Sequence, residues 1–82
     1  MGIKKQVKET QMPITKEELD NRFIYHAPKE GQANRYQGLR DMGKTLAKAI
    51  VDNTPESREQ SLAITHLEEA IMWANAAIAR RE

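Results

Sequence analysis

Apolar residues along the second half of the chain recur with a helical period. Tyr36, Leu39, Gly43, Leu46 and Ile50 fall at alternating spacings of three and four, which makes one stripe of an amphipathic helix over 33–52. A second such pattern predicts a helix over 55–79. There Ile64, Ile71 and Ile78 form a ridge, Leu67 lies beside it with Ala63, Ala70, Ala74 and Ala77, and Leu62 and Trp73 lie on the flank. At 100° per residue these positions cover an arc of roughly 200°, wider than a surface helix needs. One partner helix does not cover that width, so the pattern predicts a core shared between chains. Gly43 within the first stripe lets another backbone come close.

Before these helices the pattern is shorter. "TKEELDNRF" reads as a brief helix with Thr15 as cap and Glu18 completing a capping box, stopping at Asn21 or just after it. "IYHAPKEGQ" then reads as a loop, because Pro28 holds Ala27 out of the helical region and Gly31 permits a turn. "NTPES" is the break between the two long helices. Thr54 or Ser57 caps the second of them, Pro55 suits a first turn, and Ser57 with Gln60 is a second capping box. Residues 1–13 are polar, lysine-rich and without period, and read as a flexible arm. The expected fold is all-α: a short N-terminal helix and an antiparallel helical hairpin, forming one domain over 14–82.

Composition narrows the function. The chain has 82 residues and no cysteine, so neither disulfides nor thiolates staple so small a core. His26 and His66 have no metal-ligand spacing around them, and no metal or cofactor is expected. No apolar run approaches the ~20 residues of a membrane span. The opening "MGIKKQVKETQM" lacks the apolar core of a secretory signal, and Gln6 stands where myristoylation wants Ser or Thr. A net charge of +1 argues against DNA or RNA as the main partner, yet leaves room for a small phosphate ligand.

No catalytic constellation is present: there is no nucleophile elbow, phosphate-binding glycine loop or H-E-x-x-H. Glu68 and Glu69 read as a solvated face rather than an acid–base pair, and His66 as an interface histidine near Trp73. The chain is therefore expected not to be an enzyme. What stands out is "FIYHAPKEGQANRYQGLR", which holds three of the four aromatic residues among several cations. Tyr25 and Phe23 offer faces for a planar base. Arg40, Lys44 and Lys48 repeat every fourth residue along one ridge, placed to meet phosphate. The same features also describe a loop anchor beside a solvated basic ridge.

From Phe23 onward the chain resembles the phage anti-CBASS cyclic-oligonucleotide sponges of the anti-CBASS protein 2 type. "FIYHAP", "RYQGLR" and "PESREQSLAITHLEEAIMWANAAIAR" carry the resemblance. It implies a non-enzymatic, compact homohexamer of short helical subunits in the cytoplasm of the infected bacterium. Such an assembly sequesters cyclic dinucleotides, such as 3′,3′-cGAMP and cyclic-di-AMP, and cyclic trinucleotides made by CBASS cyclases, so that effectors are not activated. Carried over by motif, the dinucleotide site takes Tyr25 and Phe23 as rings and Arg40 or Lys44 as the phosphate contact. Arginine at position 40 changes the donor geometry that lysine would give. The trinucleotide site takes Arg80 or Arg81. The apolar width of the last helix supports a different expectation from the residues alone, a helical adaptor that binds a host or phage protein through that helix.

Overall fold

The computed structural model describes residues 14–82; the arm expected over 1–13 lies outside the described residues. Three helices succeed one another, α1 (Lys16–Phe23), α2 (Gln32–Asn53) and α3 (Arg58–Arg81), and the described residues contain no strand. The all-α hairpin expected from periodicity is the observed architecture.

Each helix begins on a local signal. Thr15 Oγ1 accepts from the Glu18 amide at 3.0 Å and so caps α1. The capping box is half formed, because the Glu18 carboxylate turns to Arg22 and Arg81 instead of the Thr15 amide. α1 runs past Asn21 to Phe23, where Ile24 turns extended. α2 starts at Gln32 after the cap Gly31, whose φ of 82° lies in the left-handed region that an L side chain rarely adopts. α3 starts at Arg58, three residues later than expected, with Ser57 as its cap accepting from the Gln60 amide at 3.1 Å. The reason is the fate of Gln60. Its side-chain amide reaches back to the carbonyls of Val51 (3.3 Å) and Thr54 (3.0 Å). That closes the turn and leaves Pro55 outside the helix.

α2 and α3 pack antiparallel, and the contact is tight at Gly43, where an added Cβ would stand 2.8 Å from Ile71 Cγ1. The inward line of α2 is Tyr36, Leu39, Gly43, Ala47 and Ile50; Leu46, expected in that line, is 51% exposed. Around the helix axis Ala47 stands about 40° from Gly43 and Leu46 about 60° on the other side, so contact at Gly43 favours Ala47. On α3, Ile64, Leu67, Ile71, Ala74 and Ile78 are half-buried, whereas Ala63, Ala70 and Ala77 are exposed. No hydrophobic side chain among the described residues is fully buried.

Polar contacts tie the ends together. The guanidinium of Arg35 and the carboxylate of Glu82 form a two-pronged pair, one prong at 2.8 Å. Gln32, only 3% exposed, donates to Glu82 Oε1 at 3.2 Å and accepts from the Lys29 amide at 2.8 Å. α1 is held on α3 in the same way: Asn21 donates to the Arg80 carbonyl at 3.1 Å, and Arg81 grips Glu18 with bonds of 2.9 and 2.7 Å.

Candidate functional site

The segment between α1 and α2 brings rings and cations to the open end of the hairpin. Phe23 ends α1, Ile24 is extended, and Tyr25 comes next. Phe23 still belongs to the helix while Tyr25 lies past the turn to extended backbone at Ile24, and the two rings border different grooves. Tyr25, 82% exposed, lines a groove of about 400 Å³ with His26, Tyr36, Arg40 and Arg80. Phe23 lines a different groove, of about 500 Å³, with Arg22, Trp73, Arg80 and Arg81. Lys44 belongs to a third, largely apolar cleft of about 580 Å³ between α2 and α3, with Arg40, Leu67, Glu68 and Met72. These volumes lie within the range of small-molecule sites.

The ring segment is braced from behind. His26 Nε2 donates to the Asn21 carbonyl at 2.7 Å, and Asn21 in turn donates to the Arg80 carbonyl. A carbonyl only accepts, so Nε2 carries the hydrogen. The brace joins the end of α1, the Tyr25 segment and the last turn of α3.

The cations differ in how they are held. Among the described residues the Arg80 side chain has no hydrogen-bond partner, whereas Arg81 is bound by both prongs to Glu18. Arg81 hydrogen bonding, then Arg22, holds the Glu18 carboxyl well below its ordinary value, at about 2. The same bonding raises the Arg81 guanidinium. Arg40 donates to Gln37 at 3.1 Å within its own helix. Arg40 therefore stands between two openings, the Tyr25 groove and the cleft that holds Lys44.

The outer side of α3 carries a local pair. His66 is exposed on the outside of α3 and meets Glu69 at 3.2 Å, because positions three apart share a helix face. Glu69 therefore shares a face with His66, and Glu68 lines the cleft with Lys44. Sequence reasoning also missed Gln32, Glu82 and Asn75. The Asn75 Oδ1 is buried without a partner among the described residues, next to Tyr25 and Arg40. An asparagine inside an apolar helical stripe was the available signal. Among the described residues no cluster of His, Asp and Glu is placed to hold a metal ion, and no helix is long and apolar enough to cross a membrane.

Fold and grooves together define a small helical hairpin that presents rings and guanidinium groups at one end. Residues 15–79 match the model of the Acb2/Tad1 hairpin domain, and the chain belongs to that family, which is known for sponging cyclic-nucleotide signals. No curated protein and no solved structure matches the chain.

Proposed function

We propose that the protein binds cyclic dinucleotides and cyclic trinucleotides made by bacterial CBASS cyclases and withholds them, uncleaved, from their effectors. The observation that carries this reading is Tyr25, exposed beside Arg40 and Arg80 in one groove. A ring face takes a base, at about 1–3 kcal/mol per stacked base, and a guanidinium takes a phosphate through two parallel hydrogen bonds. Family membership supplies the ligand class. Phe23, Arg80 and Arg81 border a second groove, which suits the larger ring of a trinucleotide.

The working form in this proposal is a homohexamer in the cytoplasm of the infected cell. A ligand site normally covers most of its ligand, and one chain offers a single open wall. The absence of any fully buried hydrophobic side chain among the described residues is a second support, since burial of apolar surface is the main drive to fold. Calorimetry with 3′,3′-cGAMP and cyclic tri-adenylate tests the reading, with protease release and analysis of the ligand afterwards. Intact ligand supports a sponge; linear product sinks it.

The exposed Leu62, Met72 and Trp73 on α3 keep in view the adaptor reading, in which that helix binds a host or phage protein. In that case light scattering finds a monomer with this face open, and the cyclic nucleotides do not bind.

A further inference from the structure

Trp73 is the only tryptophan of the chain, and it is 67% exposed. Its position around α3 is about 160° from Ile71, the residue that meets Gly43, so it points away from the hairpin contact. The sequence pattern placed it on the flank of a core; in this chain it packs into none.

Its neighbours on that face are informative. Trp73, Ala76, Ala77 and Arg80 stand at i, i+3, i+4 and i+7, which lines them up along one side of the helix. Indole and guanidinium are separated by roughly 10 Å of helix axis, and two alanines form the floor between them. Phe23 and Arg22 of α1 complete the groove from the side. Phe23 is 83% exposed. Around this groove stand three guanidinium groups, from Arg22, Arg80 and Arg81, against the one carboxylate of Glu18 that two of them share. Rings with alanine between them and a surplus of guanidinium suit a flat anionic ligand, not an apolar peptide.

We infer that Trp73 is the stacking platform for a base of the trinucleotide, with Phe23 as the lateral ring and Arg80 as its phosphate contact. The inference rests on the sponge reading and deepens it. The indole supplies the largest stacking face in the protein. The Arg80 side chain has no hydrogen-bond partner among the described residues, so it meets phosphate without first breaking a pair. Arg81 must release Glu18 to do the same.

The test uses the intact protein and its single indole. Cyclic tri-adenylate is titrated while Trp73 emission and calorimetric heat are monitored together. Stacking predicts quenching that saturates at the calorimetric stoichiometry. Trp73→Leu should weaken the trinucleotide at least tenfold with the mass by light scattering unchanged, and Trp73→Tyr should restore most of the affinity. Binding without any change in emission overturns the inference while leaving the sponge intact. So does Trp73→Leu that binds as the parent does, or that falls apart into smaller species, which would place the indole in a subunit contact. No binding of any cyclic nucleotide by the parent protein overturns the sponge reading itself, and this inference with it.

Discussion

Gly43 faces Ile71 so closely that a methyl group on the glycine would lie 2.8 Å from Cγ1 and 3.1 Å from Cδ1 of the isoleucine. Cγ1 is the inner part of a β-branched side chain with few rotamers on a helix, so it does not give way easily. Gly43→Ala gains helix propensity, about 1 kcal/mol, yet forces α2 from α3 at a tight contact. The clash should win, and thermal melting should show a lower midpoint. Ile71→Ala placed on top should recover part of the loss relative to the sum of the single changes. Gly38 is the control, since nothing lies within 4 Å of its added Cβ. Gly38→Ala should stabilise by about 0.5–1 kcal/mol. Equal effects at the two glycines would mean the hairpin contact lies elsewhere.

Two carboxylates set the response to acid. Glu18 is held down to about 2 by Arg81 and then Arg22, and Glu82 to about 2 by Arg35 and then Gln32, both from an ordinary 4.5. A carboxyl lowered on folding binds its proton more readily in the unfolded chain, so stability falls as protons are added. Its contribution is complete above about pH 4.5 and disappears as the pH falls towards 2. Melting midpoints should decline through that window. Glu18→Gln and Glu82→Gln should each flatten the decline, the first by loosening α1 and the second by loosening the start of α2. A profile that the double variant leaves unchanged would assign the acid response to other groups.

The hairpin and its caps could be read from the sequence because they depend on neighbours within one or two turns. Thr15 and Ser57 each bond to residues three or four away, and Gly31 acts through its own φ. Gln32 and Glu82 could not be read this way, since they meet across 50 residues and neither carries a local signal. Leu46 was assigned to the inward stripe because hydrophobicity outweighed angle, whereas contact at Gly43 favours the smaller Ala47. The site was read in part. The sequence clusters Phe23 with Tyr25, but α1 ends between them, with Phe23 on its last turn and Tyr25 beyond it, and they border different grooves.

Arg80 and Arg81 should behave differently. Arg80 borders both the Tyr25 groove and the Trp73 groove, whereas Arg81 borders only the second and is held by Glu18. Arg80→Ala is expected to weaken both the dinucleotide and the trinucleotide. Arg81→Ala is expected to weaken the trinucleotide less and to lower the melting midpoint more, because it frees α1 from the end of α3. Calorimetry and melting on both variants decide the order, and the reverse order would move the phosphate contact to Arg81.

Tyr25→Ala should remove one base-stacking face without touching a packing contact, since the ring is 82% exposed. The expected loss for 3′,3′-cGAMP is about 1–3 kcal/mol, roughly 5- to 150-fold in Kd. Tyr25→Phe should keep most of the affinity. Light scattering should show an unchanged mass. An unaltered Kd in Tyr25→Ala would remove the ring from the site and leave Arg40 and Arg80 as a bare cation pair.

Assembly makes the last prediction, and its physical basis is burial. Leu46, Val51, Met42 and Met72 are all at least half exposed, and no hydrophobic residue among those described is fully buried. A domain of this size hides a modest share of its surface even when well packed. An open hairpin hides less, so in the proposed assembly most of the stability comes from contacts between copies. Stability that depends on association depends on concentration, because dilution favours the separate chains. The melting midpoint should therefore rise as the protein is concentrated, and light scattering should report a multiple of the 9.4 kDa chain. Ala74→Glu places a charge on the half-buried side of α3, where an unpaired buried charge costs several kcal/mol. It should melt lower and assemble less. A monomer whose midpoint is the same at every concentration would remove the shared core and, with it, the second wall that the grooves need.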